Sequence, residues 1–372
     1  ELTWIGKDIR PNLEPRVLIE DPDKSYHSDK KVTDNDLFDN KLIFGDNLLA
    51  LRALEQEYTG KVKCIYIDPP FNTGKAFERY DDSVEHSVWL NLIYQRLIIL
   101  RSLLDNNGII WVELDENEHA YCKVMLDEIM GRANYIATVV YRRRMSQANL
   151  SSSISVIHNF LLVYAKDKSK VSFNKVMSVA EGIGEYKNPD NDPRGPYATA
   201  PCSNKGGSRY PITTPSGIVH EDEWRFKQET YDSLFDDKRI FFPNNGKGKP
   251  RYKIFQNERN GVIPSSWWDE KELSTQNANK ESEDMFDKVQ KFDTPKPEYL
   301  IWKILSISSN QGDIVLDSFA GSGTTGAVAH KMGRKWIMVE LGEHCHSHII
   351  NSVYFNYLSD TSPPVVYNPS FG

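Results

Sequence analysis

The sequence predicts an α/β protein in which a doubly wound, mostly parallel sheet is interrupted by an inserted domain. Three observations lead to this prediction. Apolar strand patterns alternate with amphipathic helix patterns in an early and a late segment of the chain. The stretch between these segments loses the alternation and is rich in Pro, Gly, Asn, Ser and aromatic residues. One strand in each alternating segment ends in a turn of unusual composition, which is where an α/β protein places its functional residues.

Four segments follow from this pattern. Residues 1–40 are polar and punctuated by prolines, which predicts an irregular N-terminal arm. Residues 41–167 and 294–372 form the two alternating halves, which we expect to join into one sheet. Residues 168–293 form the insertion, because a structureless loop of that length is implausible inside a compact domain.

The first half contains alternating elements in a regular order. A helix is predicted from about Glu85 to Leu104, where leucines and isoleucines recur at i, i+3 and i+4 spacing. Around it the pattern predicts strands at 42–44, 61–68, 109–114 and 135–141, and a second helix at 118–130. The β-α-β-α order favours a parallel sheet.

The second half repeats the alternation. It predicts a helix from Pro297 to Ser309, a strand at 313–317, a helix to about Met332, a strand at 335–340 and a final helix.

Composition limits the class of protein without identifying it. Hydrophobic residues make up 39% of the 372 residues, and no apolar run approaches the length of a membrane span. The four cysteines are scattered, which argues against a disulfide framework and agrees with a cytoplasmic protein. The net charge of −7 means that a nucleic-acid enzyme would have to concentrate its basic residues locally.

A glycine-rich turn follows the strand at 313–317. Gly321-x-Gly323-x-x-Gly326 matches the dinucleotide fingerprint, and Glu340 ends the next strand, where it is suited to a ribose. Glycines let the backbone approach a ligand, and the helix that follows offers free N–H groups. The fingerprint alone is weak, because a nicotinamide-dependent oxidoreductase uses the same glycines. The acidic residue Asp317 and the aromatic Phe319 favour S-adenosylmethionine, which has a cationic amino-acid end and two ribose hydroxyls.

A second unusual turn follows the strand at 61–68. It reads Asp68-Pro-Pro-Phe71, in which two prolines make the turn stiff and leave carbonyl groups to accept hydrogen bonds. An exocyclic amine has two N–H groups that match the Asp68 carboxylate and the Pro69 carbonyl, while Phe71 would stack on the base. Such contacts require a base swung out of the double helix.

Together, the tetrapeptide and the glycine turn resemble the motifs of the amino-methyltransferases of DNA. Their order, with the tetrapeptide first, is similar to the permuted β class. The phrase from Ile65 to Gly74 is most similar to modification subunits of type III restriction-modification systems. The resemblance implies a Rossmann-like S-adenosylmethionine-dependent methyltransferase fold and a target-recognition domain in the insertion. Asp at the first position of the tetrapeptide is typical of enzymes that methylate adenine N6.

The resemblance also implies roles for individual residues. Catalysis is expected from Asp68, Pro69, Pro70 and Phe71. The cofactor pocket is expected to contain Asp317, Phe319, Ala320, Gly321, Ser322, Gly323 and Thr324, with Glu340 on the ribose. Lys296 and Pro297 resemble the segment that covers the methionine end of the cofactor, and Asp46 and Asn47 resemble another element on the cofactor side.

The expected partners are double-stranded DNA, a second copy of the chain in a homodimer, and a restriction subunit. Basic residues for DNA are found in the insertion at Lys205–Arg209 and Lys247–Arg251, and outside it at Arg142–Arg144. Four alternatives stay open: a cytosine-N4 enzyme, an RNA or protein methyltransferase, a nicotinamide-dependent oxidoreductase that leaves the tetrapeptide unexplained, and a DNA-specificity subunit without activity. His344 and His348 share a helix face, but no third ligand has suitable spacing, so we expect no metal.

Overall fold

In the computed structural model, the chain forms two compact units. The first comprises residues up to Asn174 and continues from Ser265, and the second comprises Lys175–Pro264. The structure describes residues 2–9, 16–25, 39–72, 76–77, 80–81, 85–146, 154–176, 186–258, 261–285, 294–345 and 349.

The helices and strands of the first unit follow the predicted alternation closely. Its strands are β1 (Lys41–Phe44), β2 (Val62–Ile67), β3 (Ala76–Phe77), β4 (Tyr80–Asp81), β5 (Leu104–Leu114), β6 (Tyr135–Arg142) and β7 (His158–Ala165). Its first helices are α1 (Asn47–Tyr58), α2 (His86–Leu103) and α3 (His119–Leu126). A π-helical turn continues α3 over Asp127–Gly131, and short 3-10 turns occupy Arg132–Asn134 and Lys168–Lys170.

The second unit is built from antiparallel strands. They are β8 (Tyr197–Pro201), β9 (Ser203–Thr213), β10 (Val219–Trp224), β11 (Ile240–Phe241) and β12 (Arg251–Phe255), with α4 (Gln228–Asp236), the short α5 (Pro243–Gly246) and a 3-10 turn at Gln256–Glu258. One sheet has the order β11-β12-β8 and the other pairs β9 with β10. A small core of Cys202, Ile212, Trp224 and Tyr231 holds the unit together.

The chain then returns to the first unit. Its remaining elements are β13 (Trp267–Trp268), a 3-10 turn at Lys271–Leu273, α6 (Thr275–Met285), α7 (Glu298–Ser308), β14 (Ile314–Asp317), α8 (Thr324–Lys331) and β15 (Lys335–Glu340). The insertion was predicted to extend to residue 293, whereas the second unit ends at Pro264. The physical reason is that β13 pairs with Val140 and Tyr141 of β6, and the buried Trp268 ring lies 6.0 Å from that of Trp111.

One eight-stranded sheet forms the centre of the first unit, in the order β1-β15-β14-β2-β5-β7-β6-β13. Every neighbouring pair is parallel except the two that involve β7. The central strands are apolar along nearly their whole length, as expected where helices cover both faces of a parallel sheet. The predicted fold class is therefore confirmed, and both alternating halves belong to the same sheet.

The two chain segments meet between β14 and β2. From β2 the chain continues to β5 on one side, and from β14 it continues to β15 on the other side. This divergence is a topological switch point, and in open α/β sheets ligands bind in the crevice at the carboxyl ends of such strands. Asp68 follows β2 at this edge, and Ser318 follows β14.

The N-terminal arm contacts the first unit where it is described. The Trp4 indole N–H donates a 2.9 Å hydrogen bond to Oδ1 of Asn91, and its ring packs edge-on against Tyr94 at 5.2 Å. These contacts attach the start of the arm to helix α2.

Within the described residues, no helix combines the length and the apolar character that crossing a membrane requires.

Candidate active site

The Asp68-Pro-Pro-Phe turn lies at the switch point directly after β2. Its shape is supported by Trp89 of α2, whose buried indole N–H donates a 2.6 Å hydrogen bond to the carbonyl of Pro70. The Phe71 side chain is partly buried and packs against the main core, and the ammonium of Lys296 lies 5.0 Å from the centre of its ring. The turn is therefore supported by Trp89 of α2 and lies beside the Lys296 ammonium.

The two carboxylate oxygens of Asp68 have different surroundings. Oδ2 lies 3.0 Å from Nζ of Lys296. Oδ1 is buried and has no hydrogen-bond partner among the residues that the structure describes. A buried acceptor without a donor is costly, and in a native site it calls for a ligand or another functional explanation. Oδ1 is suited to accept an N–H group from a substrate.

Lys296 was predicted on the cofactor side, but its ammonium lies at the catalytic turn. It is shared between Asp68 and Glu113, whose Oε1 lies 2.8 Å away. Its backbone carbonyl, by contrast, accepts a 3.3 Å hydrogen bond from the Thr324 hydroxyl of the glycine turn. Lys296 thus contacts both predicted motifs, and Pro297 beside it precedes the first residue of α7.

Glu113 is a fully buried carboxylate at the end of β5. It accepts hydrogen bonds from the hydroxyls of Tyr66 at 2.6 Å and Tyr141 at 2.5 Å, and from the side-chain amide of Asn159 at 2.9 Å. Burial alone would raise the pKa of Glu113, but the Lys296 ammonium and these hydroxyl donors hold it below its ordinary value.

The same ion cluster shifts the other two groups. Burial raises the pKa of Asp68 to about 7, against the lowering effect of Lys296 and with a further increase from the Glu113 charge. Burial opposes the charged form of Lys296, but the two carboxylates more than compensate and raise its pKa. The ammonium therefore stays charged, while Asp68 titrates near neutral pH.

The glycine turn after β14 is organised by Asp317. Its buried carboxylate accepts a 2.9 Å bond from the Phe319 N–H and a 2.6 Å bond from the Thr325 hydroxyl of α8. Burial raises the pKa of Asp317 to about 7, although both hydrogen bonds favour the charged form. Gly321 and Gly323 have φ values of 54° and 84°, which L side chains adopt only at a cost.

The neighbouring residues complete this turn. The Ala320 N–H donates to the carbonyl of Val339 at 3.1 Å, which ties the turn to β15. The hydroxyls of Ser322 and Thr324 lie 2.9 Å apart. Phe319 packs against the main core.

Glu340 connects the end of β15 to the glycine turn. Its Oε2 accepts from the Gly321 N–H and its Oε1 from the Gly342 N–H, both at 2.8 Å. Burial favours the neutral acid, but the His344 side chain and the two backbone donors hold the pKa of Glu340 below its ordinary value. His344 Nε2 lies 3.5 Å from Oε1. His348 lies outside the described residues, and no described group of His, Cys, Asp or Glu has an arrangement that would hold a metal.

Asp46 and Asn47 lie at the start of α1. Asp46 caps this helix by accepting from the N–H groups of Leu48 and Leu49, and its Oδ2 lies 3.1 Å from the Arg96 guanidinium. The Asn47 amide donates a 2.7 Å bond to the carbonyl of Ser318, and its Oδ1 accepts from Arg96. These contacts attach α1 to the turn after β14.

The predicted residues therefore lie at one edge of the sheet. Contacts made by Lys296, Asn47 and Glu340 connect the turns that carry them. Sequence reasoning missed Glu113, Tyr66 and Trp89. The signal for Glu113 was available, because it is an isolated acid inside an otherwise apolar strand. Such a residue is costly to bury without partners.

Comparison of the sequence with known proteins finds one matching family and several relatives. A model of the DNA methylase family N6_N4_Mtase matches residues 62–351. The type III restriction-modification enzyme StyLTI Mod subunit of Salmonella typhimurium is 32% identical over 87% of this chain and 55% of its own length. The EcoP15I Mod subunit of Escherichia coli is 28% identical, with 92% and 64% covered. The type II methyltransferase M.EcaI of Enterobacter cloacae is 28% identical, with 88% and 73% covered.

Among solved structures, the cytosine-N4-specific PvuII DNA methyltransferase has a TM-score of 0.48 and 13% identity, covering 87% of this chain and 89% of that one. The chain spans little more than half the length of the Salmonella relative.

Proposed function

Because this chain belongs to the DNA methylase family N6_N4_Mtase, we propose that it is an S-adenosylmethionine-dependent methyltransferase acting on N6 of adenine in DNA. The observation that carries the proposal is the buried Oδ1 of Asp68, which has no partner among the described residues and lies beside a stiff Pro-Pro turn and the ring of Phe71. This arrangement offers a planar base one stacking surface and offers its amine a carboxylate acceptor.

The chemistry of the glycine turn fits S-adenosylmethionine. Gly321 and Gly323 bring backbone without side chains to the edge of the sheet, next to the first residue of α8. Glu340 places carboxylate oxygens at the end of β15, which suits ribose hydroxyls, and Asp317 adds a second acid for the cationic end of the ligand. When bound, the sulfonium supplies the methyl group, and the electron pair of the broken C–S bond stays on sulfur.

The residues of the turn act on the amine. Asp68 Oδ1 and the Pro69 carbonyl accept its two N–H bonds, which directs the nitrogen lone pair toward the methyl carbon. The new N–C bond uses this pair, and the nitrogen must then release one proton. Asp68 is the acceptor, because it contacts that N–H and its pKa of about 7 suits proton uptake at neutral pH. Holding the amine nitrogen in line with the methyl carbon contributes to the rate by positioning the two reacting groups.

The names of the relatives support a proposal for the partners. Type III Mod names support a place in a restriction-modification system, with a restriction subunit as partner. Double-stranded DNA would be read by the second unit, where Lys205, Arg209, Lys247 and Lys249 are exposed. A homodimer is a further prediction, which light scattering of the purified chain tests.

The decisive experiment incubates the purified chain with labelled S-adenosylmethionine and unmethylated bacterial DNA, followed by digestion and identification of the modified nucleoside. We expect N6-methyl-2′-deoxyadenosine, and we expect Asp68→Ala to lose transfer while still binding the cofactor in calorimetry. N4-methylcytosine would overturn the choice of base. Label in RNA or protein but not in DNA would overturn the choice of polymer, and activity in Asp68→Ala would overturn the catalytic role of this residue.

A further inference from the structure

We propose that Glu113 is a positioning residue. Together with its hydrogen-bond donors, Tyr66, Tyr141 and Asn159, it forms a buried ammonium-binding site, the seat. This seat holds the Lys296 ammonium on Oδ2 of Asp68, so that Oδ1 stays open for the amine. The inference rests on the proposed function, and it deepens that function by assigning a second carboxylate to the site.

The position of Glu113 results from strand register. β2 and β5 are parallel, with Tyr66 opposite Trp111 and Ile67 opposite Val112. The next residues in this register are Asp68 and Glu113, so both carboxylates emerge at the same edge of adjacent strands. Two carboxylates that carry like charges on adjacent strands repel each other strongly in a buried environment. A cation between them is therefore required if both are to be ionised.

Lys296 is that cation. Its ammonium lies 3.0 Å from Oδ2 of Asp68 and 2.8 Å from Oε1 of Glu113, and it arrives from the distant segment before α7. An ammonium paired with one carboxylate alone is free to move between both oxygens of that carboxylate. The second carboxylate draws this ammonium to one side, which leaves Oδ1 of Asp68 without a donor from the part of the chain that the structure describes.

Glu113 itself cannot move easily. Three further donors surround it, namely the hydroxyls of Tyr66 and Tyr141 and the amide of Asn159, and its side chain has no exposed surface. A carboxylate with this many donors stays charged despite burial. It also has no opening to substrate in this arrangement, so its effect on the amine is exerted through Lys296.

A buried ion pair elsewhere in the same unit provides a comparison. Lys303 of α7 is also buried, bonds to Glu270 and lies 4.4 Å from the centre of the Trp268 ring. None of these three residues contacts Asp68 in the described structure. Lys303→Met is therefore a matched control, because it removes a buried ammonium from the same fold without altering the catalytic turn.

The two single variants shift the titration of Asp68 in opposite directions. Lys296→Met removes the neighbouring cation and leaves the Glu113 and Asp317 charges, so the pKa of Asp68 rises above its value of about 7. Glu113→Gln removes a like charge and leaves Lys296 to Asp68 alone, so the pKa of Asp68 falls. A contribution to folding alone would move neither value in this opposed manner.

The experiment combines two readouts on the full chain. Carboxyl ¹³C resonances of labelled aspartate are titrated by NMR, with the Asp68 signal assigned by its loss in Asp68→Asn, and single-turnover methyl transfer to DNA is measured against pH. For Glu113→Gln we expect the single-turnover rate constant of methyl transfer to fall by about 10- to 100-fold with nearly unchanged affinity for DNA, because Lys296 then competes for Oδ1. The acid limb of its profile moves to lower pH, and that of Lys296→Met moves to higher pH.

Each outcome decides between the two proposals. Opposed shifts of the Asp68 titration without any methyl transfer would support the seat and overturn the proposed function. Methyl transfer with the same Asp68 titration in wild type, Lys303→Met and both site variants would overturn the seat. If Lys296→Met does not fold, Glu113→Gln alone keeps the test: its Asp68 titration is expected to move to lower pH with a slower methyl transfer. An Asp68 titration and a transfer rate both equal to those of wild type would contradict the proposal.

Discussion

The backbone N–H of Gly321 donates a 2.8 Å hydrogen bond to Oε2 of Glu340. This bond joins the turn after β14 to the end of β15, and Gly321 makes it with a positive φ of 54°. The conformation of the glycine turn and the position of Glu340, the acid expected to bind ribose, therefore depend on each other.

Gly321→Ala is expected to weaken binding of S-adenosylmethionine severalfold and to destabilise the fold. A Cβ at this φ costs roughly 1 to 2 kcal/mol, and relief of the strain moves the N–H away from Glu340. Calorimetric titration with the cofactor measures the affinity. The matched control is Gly312→Ala, which has a φ of 85° and open space around its Cβ. It should lose similar stability but keep its affinity, and equal losses of affinity in both variants would contradict the prediction.

Trp89→Phe is expected to lower kcat while leaving cofactor affinity unchanged. The substitution leaves the Pro70 carbonyl without its donor, at a cost of about 1 to 3 kcal/mol, and it loosens the catalytic turn. Trp111→Phe is the control, because this buried indole donates to the Ser308 hydroxyl at 2.9 Å. Urea unfolding should show comparable losses for the two variants. If methyl transfer is equally impaired in both, the bond to Pro70 has no special role.

Asp317 should make the folded protein less stable as pH rises. Burial raises its pKa to about 7, whereas the unfolded chain has the ordinary value near 3.8. Between these values the folded state binds a proton that the unfolded state has lost, so the free energy of unfolding falls as pH increases across this window. Asp317→Asn removes this contribution.

The check is the urea midpoint of wild type and Asp317→Asn at pH 5 and pH 8. Stability of the variant relative to wild type should improve at the higher pH. Glu281, whose pKa burial also raises to about 7, is present in both proteins and cancels in the comparison. The Asp317 charge contributes to the raised pKa of Asp68, so its removal lowers that pKa and changes the relative stability in the same direction. A pH-independent difference would show that Asp317 is ionised throughout.

The exposed lysines of the second unit are expected to contact DNA phosphates. Replacing Lys205 and Lys247 together by alanine should weaken DNA binding on all sequences and reduce the slope of log K against log salt by about 0.9 for each lost contact. Fluorescence anisotropy at several salt concentrations measures this slope. Lys61→Ala is the control, because this exposed lysine precedes β2 at the edge of the sheet opposite the site. A slope unchanged from wild type would exclude both lysines from the interface.

Much of the fold could be predicted from local sequence patterns. The apolar run before Asp68 and the periodic leucines of α2 predicted elements that the structure places within a few residues of the expected bounds. Residues 265–285 were predicted to lie in the insertion, whereas the structure has them in the first unit. The strand β13 has only two residues, and a strand of two residues has no periodicity to detect. Its membership of the sheet depends on pairing with β6, which is more than a hundred residues away along the chain.

The sequence by itself determined the chemistry that the protein carries, since stiff prolines, conformationally free glycines and acids after apolar strands have local physical meaning. Tertiary structure alone decided which groups meet. Strand register places Glu113 beside Asp68, and the segment before α7 delivers Lys296 between them. Such contacts depend on packing between distant segments, and no local pattern specifies which side chain will lie opposite another across a sheet.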